Sequence, residues 1–199
     1  MEWRLFPEGT IPEYTTPEWY AGRLSAPHLE EPGHRERLIA TAEVIIELNP
    51  STVVDLGAGD GGLLSLLQAA HISCWGYDLQ QTNVDVAQNI RGVQVELHDI
   101  VNDFYSVGHG NGDVAVATEM LEHLIDPHGF VDKIAQMYSI VVASSPWHET
   151  PNNHYEFHTF CWDLEGYRNL FESNGFEVVN QFIVQGAQII TGISRVKKV

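Results

Sequence analysis

The spacing of apolar positions changes period several times along the chain. After Gly33, in HRERLIATAEVIIEL, Leu38, Ile39, Ala42, Ile45 and Ile46 recur at helical spacing and predict a leading helix that Asn49-Pro50 stops. Short β-branched runs then alternate with helical stretches: Thr52 to Leu56, Cys74 to Asp78, Val93 to Leu97, Asp113 to Thr118 and Ser139 to Ser144. Such alternation predicts crossover units and a parallel sheet. The runs VVDL, VAVAT and IVVAS are nearly all apolar, as strands are when helices cover both faces, so the expected class is α/β with a doubly wound sheet. The end differs. After the helical WDLEGYRNLFESNG, the runs FEVVNQFIV and AQIITGISRV are separated only by Gln185-Gly186, too short for a parallel crossover, and they predict an antiparallel C-terminal hairpin.

Ahead of the leading helix, Pro7, Pro12, Pro17, Pro27 and Pro32 alternate with aromatics and exclude one regular element, so residues 1–32 read as an ordered arm. Residues 33–199 read as a single domain, which suits a chain of 199 residues. Ten Lys and Arg against 27 Asp and Glu give a net charge of −17, opposite in sign to the field that gathers nucleic-acid phosphates or anionic lipid. No apolar run reaches the roughly 20 residues that span a bilayer, and the amino end lacks a basic start followed by an apolar stretch. Cys74 and Cys161 have no CxxC or Cys/His cluster around them, so a cytoplasmic, reducing setting without membrane partners is expected.

The candidate chemistry starts at VVDLGAGDGGLLSLL, where a buried strand turns through Gly57, Gly59 and Gly61 into a helix. Bare backbone there approaches a ligand closely, and the helix start offers unpaired amides. Read as Gly57, Gly59 and Gly62, the same letters match the dinucleotide fingerprint, which leaves an NAD(P)-binding oxidoreductase as an alternative. Asp55 weighs against it, because a carboxylate two residues before the first glycine repels a pyrophosphate and attracts an ammonium group. DLGAGDG resembles the cofactor loop of class I S-adenosylmethionine-dependent methyltransferases. That resemblance, covering about Leu38 to Val196, implies a Rossmann-like seven-stranded sheet, mostly parallel, with S-adenosyl-L-methionine as cofactor. It further implies that Asp55, Gly57, Ala58 and Gly59 form the loop, that Asp78 and Leu79 face the ribose, and that Asp99 and Ile100 hold the adenine. In the segment after the fourth strand, Glu119 and Met120 would line the cofactor.

In TEMLEHLIDP, Glu119, Glu122 and His123 have i, i+3 and i+4 spacing, which on a helical turn sets two carboxylates and an imidazole on one face. That pattern serves as metal ligands, as an acid–base pair, or as an ordinary helix start. EMLEH is similar to the corresponding motif of ubiquinone-pathway O-methyltransferases and of small-RNA terminal 2′-O-methyltransferases. The stretch Ser145 to Trp162 adds His148, His154 and His158, and His158 with Phe160 and Trp162 looks like the latter group's fourth ligand. The resemblance thus implies a divalent-metal set of Glu119, Glu122, His123 and His158, or catalysis by His123, His158 and Glu122 without metal. A small-molecule acceptor is favoured over RNA, because the acceptor side offers mainly Lys133 and Arg168 as cations. Trp19, Tyr20, Arg23 and His28 are candidates for a lid over the site, or for a strap on the core. A catalytically silent nucleoside-binding domain is the remaining alternative, and the oligomeric state is left open.

Overall fold

The computed structural model describes residues 1–6, 25, 27–106 and 112–196. Its main sheet has seven strands: β2 (Thr52–Leu56), β3 (Ser73–Asp78), β4 (Val95–Leu97), β5 (Val114–Thr118), β6 (Ile140–Pro146), β8 (Phe176–Val184) and β9 (Ala187–Ser194). Their order is β4-β3-β2-β5-β6-β9-β8, parallel from β4 to β6, with β9 antiparallel to both β6 and β8. The hairpin runs over the expected residues, and the two-residue link leaves no other pairing.

Helices cover both faces because alternate side chains of each central strand point to opposite layers. Val114 and Val116 pack with Leu38, Ala42 and Ile45 of α1 (Pro32–Leu48) and with Leu63 and Leu67 of α2 (Gly62–Ala69). Ala115 and Ala117 face the other way, onto Phe130 and Ile134 of α4 (Pro127–Met137) and Tyr167 and Phe171 of α5 (Leu164–Glu172). A short α3 (Gln81–Val86) continues as a π-turn over Ala87–Arg91 and closes the β3–β4 crossover. Asn49 ends α1 in the left-handed conformation, as the Asn-Pro step anticipates.

Three expectations need correction. Ile46 is exposed rather than part of the buried face of α1, which instead takes in Thr41 and Arg37. The third parallel strand starts at Val95, not Val93, whose amide is already bonded to Ala87 O of the π-turn at 3.1 Å. The arm also contains a strand: β1 (Glu2–Arg4) pairs antiparallel with β7 (Phe160–Trp162) in a separate two-stranded sheet. Glu2 fixes it, accepting a hydrogen bond from Trp162 Nε1 at 2.7 Å and pairing with His128 Nε2 at 2.9 Å. Leu5 N then donates to Thr159 O at 2.8 Å, so the start of the chain braces the segment that carries His158.

Gly76 on β3 is where the sheet meets the cofactor loop. A Cβ there would lie 2.6 Å from Ala58 Cβ and 3.1 Å from the Asp55 carbonyl oxygen. Both neighbours belong to the packed β2-to-loop turn, so neither yields cheaply. Gly76→Ala is expected to lower stability by about 1–3 kcal/mol, read as a fall in melting temperature; an unchanged melting curve would show that the loop tolerates displacement.

Candidate active site

Strand β2 delivers its last residues to the carboxyl edge of the sheet, where a cavity of about 740 Å³ opens against Asp55, Gly57, Asp78, Ile100 and Glu119. Crevices at this edge are where open α/β sheets bind ligands. The turn from Gly57 to Gly61 is tied to β3 by Gly57 N and Ala58 N, both donating to Tyr77 O at 2.9 Å. Gly57, Gly59 and Gly61 have φ of 84°, 54° and 75°, the left-handed region that a side chain disfavours. Met120 packs on Gly57, where an added Cβ would sit 3.2 Å from its Cγ.

Asp55 is buried under this turn, and its Oδ1 has no hydrogen-bond partner in the protein. Burial, and secondarily the neighbouring Asp78 carboxylate, push its carboxyl up to about 7. A ligand cation would satisfy both the orphaned oxygen and the charge. Asp78 is the loop's clamp: Oδ2 accepts from Gly59 N at 2.8 Å, and Oδ1 accepts from Gln80 N at 2.8 Å and Asn83 Nδ2 at 3.0 Å. Burial raises its pKa in spite of these donors. Leu79 and Ile100 line the same cavity. Asp99 also lines it, with its carboxylate accepting from Val101 N, Asn102 N and Asn102 Nδ2 in its own turn.

Asp60, which the sequence pattern does not single out, is the hub of the loop. Its buried carboxylate accepts from Gly62 N, His28 N and Arg91 Nε, is bonded to His28 Nδ1 and pairs with Arg91 Nη2. Burial alone would raise its pKa, but the bonds from His28 and Arg91 outweigh that and hold it low. The His28 ring thereby lies over Gly59, with Cε1 3.0 Å from the position of a Cβ there. Of the lid candidates, His28 lines the cavity, while Trp19, Tyr20 and Arg23 lie outside the described residues.

The acceptor-side residues are distributed differently from a helical turn. Only Leu121–His123 forms a turn, of 3₁₀ type, and Glu119 precedes it with φ of 50°. Glu119 therefore points away from Glu122: its Oε1 accepts from Ser144 Oγ at 2.8 Å and its Oε2 pairs with Arg37 Nη1 at 3.3 Å. Glu122, His123 and His158 do converge, with one ligand-type atom of each within 4.8 Å of the others. The His123 and His158 rings meet edge to face at 4.7 Å. Thr159 N donates to Glu122 O at 2.6 Å, holding the two segments together.

Glu122 is fully buried and neither carboxylate oxygen has a hydrogen-bond partner in the protein. Burial first, and then the Glu119 charge, push its carboxyl well above the ordinary range. His123 Nδ1 is 3.2 Å from Phe157 O, and His158 Nδ1 is 2.7 Å from Glu149 Oε2. A carbonyl or carboxylate oxygen accepts, so Nδ1 is the donor in both contacts. Two imidazoles held this way beside an unsatisfied carboxyl suit either a divalent ion or acid–base chemistry, and hydrogen-bonded outer partners are what orient metal-binding imidazoles. Three of the four metal candidates thus come together, and Glu119 does not join them. His148 and His154 do not join them either: His148 packs at a tilt against Trp147, ring centroids 4.6 Å apart, and His154 Nδ1 bonds to Tyr155 O. Arg37 and Glu149 also escape a reading by spacing: the Glu119 partner of Arg37 is far away in sequence, and Glu149 meets His158 only through the fold of their loop.

A family model described as a methyltransferase domain matches residues 32–181. No curated protein matches the sequence. Among solved structures, the methyltransferase domain of bacterial CtHen1-C is similar at 18% identity, with 82% of this chain and 100% of that chain covered and a TM-score of 0.65. Magnesium protoporphyrin IX methyltransferase (ChlM) from Synechocystis PCC 6803, with bound SAM, is similar at 16% identity, 88% coverage of each chain and a TM-score of 0.62. The [4+2]-cyclase SpnF shares the fold at 16% identity, 89% and 90% coverage and a TM-score of 0.67. No helix among the described residues is long and apolar enough to cross a membrane.

Between the ordinary carboxyl range and about 7, folded Asp55 keeps a proton that the unfolded chain has released. Native protein then binds more protons than unfolded chain, so stability falls as pH rises through this window, by at most about 1.4 kcal/mol per unit. Comparing Asp55→Asn with wild type by melting from pH 4 to 8 without ligand should show the variant gaining relative stability as pH rises. Parallel curves would mean that Asp55 is not a buried acid.

Proposed function

Because the chain belongs to the methyltransferase domain family, we propose that it transfers the methyl group of S-adenosyl-L-methionine to a hydroxyl of a small or modest-sized acceptor. The supporting observation is the buried Glu122, with neither oxygen hydrogen-bonded in the protein, converging with the His123 and His158 imidazoles. Carboxylate or amine acceptors need no such device; a hydroxyl must lose a proton. The orphaned Asp55 under a bare-backbone turn supports a cationic ligand tail over a pyrophosphate, and so a methyl donor over a nicotinamide coenzyme.

In this reading Asp78 and Leu79 flank the ribose, Ile100 packs on the adenine, and Met120 borders the reacting sulfur. The acceptor oxygen attacks the methyl carbon in line, a C–O bond forms as the C–S bond breaks, and the acceptor proton passes to Nε2 of His123 or His158. Alignment and exclusion of water provide most of the rate, with proton transfer adding roughly 10²-fold or more. Glu122, His123 and His158 are the residues that would hold a divalent ion, which supplies direct acidification of the acceptor hydroxyl.

A metal-dependent RNA 2′-O-methyltransferase is the second reading, favoured by the convergence of Glu122, His123 and His158 and by the likeness to the CtHen1-C domain. The chain's charge opposes it. Arg168 already pairs with Glu172 and Lys133 Nζ donates to Val101 O, so neither stands ready for a phosphate.

Calorimetric titration of the full chain with Mn²⁺ tests the metal. One site is expected, weakened at least about 100-fold in His158→Ala and about 10- to 100-fold in Glu149→Gln. No binding, with methylation indifferent to chelator, would leave the histidines as bases alone. Assays with labelled donor on catechol-type rings and short RNAs separate the two acceptor classes. Cofactor binding without transfer to any acceptor would overturn the enzymatic reading in favour of a silent domain.

A further inference from the structure

We infer that Thr159 is a positioning residue for the acceptor side of the site: its amide, hydroxyl and carbonyl tie the turn bearing Glu122 and His123, the segment bearing His158 and the strand β1 into one geometry. This rests on the methyl-transfer reading in which His123 or His158 takes the acceptor proton, and it names the residue that sets where those imidazoles stand. Thr159 acts through them rather than on the reacting atoms.

Thr159 is buried, and each of its polar groups is bonded. Its N donates to Glu122 O at 2.6 Å and its Oγ1 to His123 O at 3.3 Å, two consecutive carbonyls that a turn as short as Leu121–His123 leaves without helical partners. Its carbonyl accepts from Leu5 N at 2.8 Å, one step beyond the pairing of Arg4 with Phe160. The residue before it is His158, whose ring is held by Glu149 at 2.7 Å and meets the His123 ring edge to face at 4.7 Å. One peptide thus connects the two segments that carry the imidazoles. His123 lines the cavity, so a drift of this peptide would move its imidazole relative to a bound acceptor.

On its outer side the same peptide is held by β1. The Arg4 guanidinium lies over the Phe160 ring at 4.9 Å, and Glu2 accepts from Trp162 Nε1 at 2.7 Å. Glu2 also accepts from His128 Nε2 at 2.9 Å, and Asn174 Nδ2 donates both to His128 Nδ1 at 2.8 Å and to Leu170 O at 2.7 Å. Through this chain of bonds α4 and the end of α5 fix Glu2. A slip of β1 by one residue would turn Glu2 to the opposite face, so the contacts that pin Glu2 also keep Leu5 opposite Thr159. The placement of the two imidazoles therefore depends on a strand that touches neither of them.

Thr159→Val removes the hydroxyl and keeps the backbone bonds, whereas Thr159→Ser keeps the hydroxyl and serves as the rescue. The decisive readout is the nuclear Overhauser cross-peak between the His123 and His158 rings of the full chain, assigned with His123→Gln and His158→Gln. It should be present in wild type and Thr159→Ser, and lost in Thr159→Val and in Glu2→Ala. Affinity for S-adenosylhomocysteine, read by calorimetry, should stay within about twofold of wild type in all three variants, because the cofactor half is not touched. With catechol as acceptor, kcat should fall about 10- to 100-fold in Thr159→Val while the KM for S-adenosyl-L-methionine holds, since small misplacements are costly in an aligned reaction. A merely structural role would lower the melting temperature of Thr159→Val and leave the cross-peak intact, and that result overturns the assignment, as does loss of the cross-peak in Thr159→Ser. Should Thr159→Val fail to fold, Glu2→Ala decides alone, and an unaltered cross-peak there overturns it. If wild type does not bind S-adenosylhomocysteine, it is the methyl-transfer reading that fails, while the ring spectra still decide whether Thr159 sets the geometry.

Discussion

Two carboxyl groups sit in the protein interior without a partner there, and most of the site is organised around them. A buried carboxylate costs several kcal/mol unless it is paired, protonated or ligated. Asp55 Oδ1 and both Glu122 carboxylate oxygens are buried with no hydrogen-bond partner in the protein. In the function proposed above, a ligand that satisfies either carboxyl would recover that cost, so stability would be exchanged for binding. The rest of the loop chemistry protects that arrangement. Asp60, with five donors, and Asp78, with three, are satisfied carboxylates that fix the backbone around the unsatisfied one.

The division between satisfied and unsatisfied acids also explains why four acids in one region can do different work. Asp60 is held ionised by His28 and Arg91 and serves as a structural counter-ion. Asp78 trades burial against amide donors and fastens Gly59 to the end of β3. Glu119 is neutralised by Arg37 and anchored by Ser144, so it forms a wall of the cavity rather than joining the Glu122 cluster. Glu122 alone faces two imidazoles. Local environment, rather than residue type, assigns these parts.

Much of this was legible in the sequence because it depends on neighbours along the chain. The strands Thr52–Leu56 and Phe176–Val184 follow directly from apolar runs and a two-residue link, and Val53 to Gly61 carries strand, turn and glycine positions within nine letters. What failed was an assumption about backbone. Spacing of i, i+3 and i+4 unites Glu119, Glu122 and His123 only if the segment is helical from its first residue, and a left-handed Glu119 removes one member. What stayed hidden depends on contacts between distant segments: Asp60 with Arg91 across 31 residues, or Arg37 with Glu119 across three crossovers. In a one-dimensional pattern Arg37 is a charge beside Leu38 on a helix; only burial reveals that it faces a cavity. Ile46, expected in the apolar stripe of the same helix, is exposed instead.

The small sheet of β1 and β7 gives the molecule an order of assembly. Glu2 and Trp162 are 160 residues apart, so this contact cannot form until the chain has been made through Trp162. The glycine turn of the cofactor crevice, by contrast, draws on β2 and β3 and can organise earlier from a local crossover. If the acceptor sits beside His158, as proposed, the half that receives the methyl group is completed after the half that supplies it, and a nascent chain acquires a place for the donor before it has anywhere to send it.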